Sequence, residues 1–151
     1  LDIDVLSDAE IDDVPFRGLH ELKSLHIRGA VNLTRIDAAA FRDLVDLEEL
    51  SIHGSMKISV SLIGSVDWEL SARTGTYRKN RQSRLGSLKV IPANLFKACT
   101  QLKKLYLVNM GLEELEEEDA LQGLGNLEIL NLEFNRLAGL PDGAFRGLTS
   151  L

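Results

Sequence analysis

Cysteine is almost missing from this 151-residue chain: Cys99 stands alone, so no disulfide can form within it. Aromatic residues make up only 5%, so any interior must be filled by aliphatic side chains. No apolar run approaches the ~20 residues a membrane span needs. The first residues, Leu1-Asp2-Ile3-Asp4, have neither the basic start nor the apolar stretch of a signal peptide. Excess positive charge is lacking too, since the formal net charge is -6, which argues against a nucleic-acid binder. Catalytic signatures are missing as well: there is no HExxH, no P-loop, no CxxC pair and no G-x-S-x-G elbow. Gly123-Leu124-Gly125 lacks a third glycine and a βαβ setting, so it reads as a turn and implies no cofactor. What the chain does have is apolar residues, 44% of the total against 26% charged, too many for disorder and enough for one domain's core. Leucine alone occurs 28 times.

The leucines are spaced. Leu22, Leu47, Leu102, Leu127 and Leu151 stand 25, 55, 25 and 24 residues apart, so three of the four steps share one period. Phe16-x-x-Leu19-x-x-Leu22 returns as Phe41/Leu44/Leu47, Phe96/Cys99/Leu102 and Phe145/Leu148/Leu151, placing four of the five phenylalanines in one column. Leu-x-x-Leu-x-Leu ends in a period of two, which predicts a short strand with one buried face. A Leu-x-x-Leu-Pro segment then turns the chain back, and Phe-x-x-Leu supplies a second apolar row on the opposite wall. One such turn cannot cover its own apolar side, so turns must stack and build a parallel sheet.

The segment Leu127-Glu-Ile-Leu-Asn-Leu-Glu-Phe-Asn135-Arg-Leu-Ala-Gly-Leu-Pro141-Asp-Gly-Ala-Phe145-Arg-Gly-Leu148 resembles the 24-residue class of leucine-rich repeat. The resemblance covers residues 1–56 and 88–151. It implies an α/β fold, a curved right-handed solenoid with short strands on a concave face and loops or short helical turns on a convex one. It also implies an extracellular recognition domain of the kind found in Toll and Toll-like receptors, Slit and chaoptin. The expected organisation is a single solenoid, 1–151, in units of about 1–21, 22–46, 47–101, 102–126 and 127–150.

Two departures stand out. The family's asparagine, eight residues after the first leucine, is matched only by Asn135; its counterparts are Ala30, Ser55 and Met110, with Asn109 one place early. Alanine and methionine cannot satisfy a buried N–H, so those turns must shift, admit water or rotate outward. The 55-residue step holds the second departure. Joining Met56 to Leu88 would restore the repeat and leave residues 57–87 as a 31-residue insertion. Six basic residues against Asp67 and Glu69 make it +4 within a frame of -10, and it carries Trp68 and Tyr77. It reads either as a loop that contacts a partner or as a non-native segment, such as translated intron.

Side chains alternating with the buried leucines should face outward and form the ligand-binding surface. They are Ser24, His26 and Arg28; Glu49, Ser51 and His53; Lys104, Tyr106 and Val108; Ile129, Asn131 and Glu133. Tyr106, Val108 and Ile129 are the candidate apolar patch, a composition that suits a protein ligand or co-receptor. No nucleic acid and no membrane contact by this segment are expected, and the parent protein could form a homodimer. His26 and His53 could share a metal only in a strained geometry; surface residues are the plainer reading, and so is His20. Cys99 stands where other units carry leucine and reads as a small buried hydrophobe. The run Glu113, Glu114, Glu116, Glu117, Glu118, Asp119 reads as a solvated face or a dock for a basic partner. Asn32-Leu33-Thr34 is an N-glycosylation sequon. The expected function is non-enzymatic protein recognition at the cell surface, in immune or developmental signalling; the alternative is a cytoplasmic scaffold. Leu151 begins another repeat and neither edge has a polar cap, so the segment reads as a slice of a longer array that self-associates through its ends.

Overall fold

The computed structural model describes residues 1–4, 10–54, 68–70, 77–79, 86–115 and 120–151. Ser55, the acidic residues Glu116, Glu117, Glu118 and Asp119, and most of 57–87 lie outside them. The strands in chain order are β1 (Asp2–Asp4), β2 (Glu10–Ile11), β3 (Ser24–Arg28), β4 (Arg35–Ile36), β5 (Glu49–His53), β6 (Trp68–Leu70), β7 (Tyr77–Lys79), β8 (Val90–Ile91), β9 (Lys104–Val108), β10 (Glu114–Leu115) and β11 (Ile129–Asn131). The only helix among the described residues is a 3-10 turn at Ala30–Asn32.

Five of these strands form one parallel sheet in the order β1-β3-β5-β9-β11. Its register follows the leucine frame: Leu25, Leu50, Leu105 and Leu130 lie side by side, and so do Ile27, Ile52 and Leu107. Parallel strands cannot be joined by a tight hairpin, so each pair needs a long return path. The two-residue strands lie on those paths, pairing in parallel as β2 with β4 and β8 with β10, while β6 and β7 form an antiparallel pair of their own.

The same bonds recur from unit to unit. The amide of each anchor leucine closes a turn onto the residue three places before it: Leu22 to Leu19, Leu47 to Leu44, Leu102 to Cys99, Leu127 to Leu124 and Leu151 to Leu148. Between strands, Glu48 N–H donates to Lys23 O, Lys103 N–H to Glu48 O and Glu128 N–H to Lys103 O, at 2.8, 2.9 and 2.8 Å. The core runs along the leucines of all these units. Its second row is aromatic: Phe16 and Phe41 lie 5.7 Å apart, Phe41 and Phe96 stack at 6.2 Å, and Leu121 holds the next place in the row. Cys99 is fully buried there, its Sγ 3.8 Å from Phe41 O, and burial pushes the thiol up to about 12.

Around the long step the ladder to β9 stays intact. Gly54 N–H donates to Val108 O, Gly86 N–H to Asn109 O and Leu88 N–H to Met110 O. Gly86 thus takes the place that register would give to the residue after Gly54. Both glycines are required by contact: a Cβ on Gly54 would lie 1.9 Å from Asn109 O, and one on Gly86 would lie 2.3 Å from Met110 O.

Candidate functional site

The candidate surface is the face of the five-stranded sheet that turns away from the leucines. Ser24 and His26 are half-buried on β3, and Ser24 Oγ is hydrogen-bonded to His26 Nε2 at 2.8 Å. The arrangement repeats one strand over, where Ser51 Oγ is hydrogen-bonded to His53 Nε2. Two residues along a strand return to the same face, so Ser-x-His pairs its own side chains. Register sets His26 beside Ser51, and Ser51 beside Tyr106.

His53 is the most constrained member. Burial lowers its pKa, and the positive potential of His26 and Arg28 lowers it further. Its Nδ1 is buried without a hydrogen-bond partner. A proton there would have to be held without a partner, so the ring is neutral at pH 7. The two histidines are therefore not the open surface residues expected; serine bonding and neighbouring strands enclose them. No group of three or more His, Cys, Asp or Glu able to hold a metal occurs among the described residues.

Two of the outward positions prove buried. Ser51 is 5% exposed, beneath its bond to His53 and between β3 and β9. Val108 is 4% exposed, because both flanks are closed: its carbonyl accepts from Gly54, and the next residue, Asn109, donates to Glu133 O. From Leu107 to Leu112 the whole run is buried, so inside–outside alternation ends one residue before the strand does. The candidate patch of Tyr106, Val108 and Ile129 is thereby corrected to Tyr106, half-buried, and Ile129, 41% exposed.

The charged positions pair across strands. Arg28 lies 3.1 Å from Asp2, and Lys104 lies 3.4 Å from Glu49. Glu133 is exposed, and Asn131 holds it: Asn131 Nδ2 donates to its carboxylate at 3.0 Å, and its own N–H donates to Asn131 Oδ1. Asn32 is exposed at the end of the 3-10 turn, while the Leu33 side chain next to it is buried.

The turns below the sheet answer the missing asparagines. Asn135 Oδ1 accepts from both Met110 N–H and Leu112 N–H, and Nδ2 donates to Leu107 O and Leu132 O. One amide therefore serves two units, and Met110 needs no polar side chain of its own. At Ala30 the chain tightens instead, with Leu33 N–H donating to Ala30 O. The residue just before this column is left-handed in three units: Gly29 at φ 74°, Asn109 at 56° and Phe134 at 59°. Glycine and asparagine adopt that region readily, whereas a bulky side chain is strained there. Phe134 nevertheless stands 44% exposed beside Glu133, a candidate contact residue that the leucine frame does not reveal. Gly29, Gly54 and Asn109 in its column were the available signal.

The family model for leucine rich repeat matches residues 100–151, the last third of the chain. Comparison with curated proteins gives no match. Parallel strands with scarcely any helix fit an α/β repeat fold. Leucine-rich repeats generally mediate protein–protein recognition, and the family is typically non-enzymatic.

Proposed function

We propose that all 151 residues form one leucine-rich-repeat solenoid, in units of about 1–21, 22–46, 47–101, 102–126 and 127–150, that recognises a protein through the outward face of its sheet. The observation that carries this reading is the in-register ladder Leu25–Leu50–Leu105–Leu130. It fixes an apolar frame inward and leaves Arg28, Tyr106, Ile129, Asn131 and Glu133 accessible on one rigid surface. A mixture of an aromatic, an aliphatic and both signs of charge suits a protein interface better than a phosphate backbone. Ser51 and Val108 support that surface from beneath and do not contact the ligand. The interruption runs from Gly54 to Gly86 in this reading, because those two residues donate to consecutive carbonyls of β9 and its turn.

The finer assignment is to a receptor or adhesion ectodomain, as in the Toll-type proteins whose repeat the last unit resembles. The exposed sequon at Asn32 supports it. Two experiments test these statements. A photo-crosslinking residue at Tyr106 or Ile129 of the native protein in its own cells should trap a partner that the same probe at Arg42, exposed next to Phe41 on the return path, does not. Equal adducts at all three positions would remove the face-specific reading. Glycosidase treatment should increase the mobility of the native protein, and Asn32→Gln should abolish the shift. A native protein with unmodified Asn32 would favour the scaffold alternative.

A further inference from the structure

The large sheet is continuous where the small strands are not. β3 pairs with β5 along four residues, yet β4 and β8, on the return paths that follow those two strands, belong to separate two-stranded sheets. The return paths next to each other elsewhere do pair, β2 with β4 and β8 with β10. Between β4 and β8 lies a groove of about 460 Å³, lined by Arg35 and Ile36 on one wall and by Ser87, Lys89, Val90 and Pro92 on the other. One end is bridged by Ser87 Oγ, which donates to Val31 O at 3.2 Å. The lining includes two cations and no acid. Both cations already hold acids: Arg35 reaches Glu10 on β2 at 2.6 Å and Asp37, directly after β4, at 3.6 Å, and Lys89 reaches Glu113 beside β10 at 3.5 Å. These ion pairs are exposed, so exchanging them for another carboxylate costs little.

We propose that this groove is a second interaction surface, which takes an extended acidic peptide pairing its backbone with the facing edges of β4 and β8. Strand addition to an open edge supplies main-chain hydrogen bonds without regard to sequence, and the side chains around it supply the selection. Here the floor is apolar at Ile36 and Val90 and the rims are basic at Arg35 and Lys89. The fitting segment therefore alternates apolar and acidic residues, presenting carboxylates to both rims. The surface is formed by the return paths and uses none of the outward residues of the large sheet, so it stands or falls independently of the recognition face.

The test is fluorescence anisotropy with the 151-residue chain and a labelled peptide of alternating valine and glutamate. Saturable one-to-one binding is expected. The double variant Arg35→Glu with Lys89→Glu should weaken it about tenfold or more. The same peptide N-methylated at alternate residues, and a valine–lysine peptide, should fail to bind. Ser87→Trp, at an exposed position, should block the groove sterically and provides a second route if the charge reversal disturbs folding. Circular dichroism confirms that each variant is folded. Absence of saturable binding overturns the proposal, as does binding unchanged by Ser87→Trp or by N-methylation. A dimer that Ser87→Trp dissociates would assign the groove to a second copy of the chain and would equally overturn it.

Discussion

Units that share one leucine motif are buried very differently in the middle of the chain and in its last turn. Leu25, Leu50 and Leu105 are fully buried in the large sheet, whereas Leu130, in register with them, is only half-buried. The aromatic row behaves alike: Phe41 and Phe96 are fully buried, and Phe145 is 42% exposed. Ile129, Phe134 and Leu140 are exposed in the same turn. Local sequence is nearly constant along the frame, so local sequence cannot be what buries it. Burial comes from neighbours on both sides, and stability in such a stack is a sum of contacts between adjacent units.

That difference predicts the largest effect. Leu105→Ala should destabilise the chain by ~2–5 kcal/mol, the usual cost of emptying a closed core site. Leu130→Ala removes the same atoms from a half-covered site and should cost less than half as much. Urea unfolding of both variants checks this. Equal losses would mean that the motif stabilises itself and that the neighbour argument is wrong.

Asn135 cuts across the comparison, since it belongs to the loose turn but bonds the tight one. Asn135→Ala leaves Met110 N–H, Leu112 N–H and Leu107 O without their partner, at roughly 1–3 kcal/mol. Hydrogen exchange at the amides of Met110 and Leu112 should accelerate more than at Leu130. Asn135→Asp keeps the acceptor and loses both donors, so it should protect those two amides while still destabilising the turn. Acceleration at Leu130 with Met110 and Leu112 unchanged would show that the asparagine acts only on its own unit.

The leucine and phenylalanine rows were legible because they recur in the covalent sequence, and the structure adds their register. The Ser24–His26 and Ser51–His53 pairs were legible in principle, since serine and histidine stand two residues apart in both units. Burial of Val108 was not, because it depends on what Gly54 and Glu133 do on either flank. The groove between β4 and β8 was not either: pairing of short return strands is decided by how whole units stack, which no single unit's sequence encodes. Asn135 was legible as the amide that caps its own turn, but its reach to Met110 N–H and Leu112 N–H was not, and it spares the Met110 turn the shift expected of it.

Phe134 and Gly29 share a column and differ in strain. Gly29→Ala places a Cβ in the left-handed region and should cost ~1–2 kcal/mol. Phe134→Gly removes that strain, partly offset by glycine's greater freedom in the unfolded chain, for a net gain of roughly 0.5 kcal/mol. Thermal unfolding measures both. If Phe134→Gly lowers the melting temperature, the exposed ring contributes more through contacts than its backbone costs. If it raises stability and also abolishes the crosslinked partner, the strain is retained for binding.

His53 makes the middle of the sheet pH-sensitive. Its folded pKa lies below the unfolded value of ~6.5, so between the two the unfolded chain binds more protons. The stability it supports is present above ~6.5 and is lost as the pH falls through the folded value. Stability measured from pH 7.5 to 5 should decline, and His53→Gln should flatten that decline. An unchanged slope in the variant would move the effect to other groups.

The smallest effect concerns the charges just ahead of the strands, Lys23, Glu48, Lys103 and Glu128, which alternate in sign across neighbouring units. Lys103 lies 2.8 Å from Glu48, and Lys23 lies 3.8 Å from the same carboxylate. The bond and the charge of Lys103 lower the Glu48 pKa, and Glu48 in turn raises that of Lys103. All four side chains are solvated, so each pair contributes little to stability. Register is a different matter. A shift of one unit along the stack would set like charges together, and the observed order pairs Glu48 with Lys103 across 55 residues as it pairs Lys23 with Glu48 across 25. Glu48→Lys should therefore lower stability slightly in low salt, and the loss should vanish in 1 M sodium chloride, where screening acts within about 3 Å. A loss that persists in high salt would show that the carboxylate acts through its hydrogen bond to Lys103 and not through the alternation of sign.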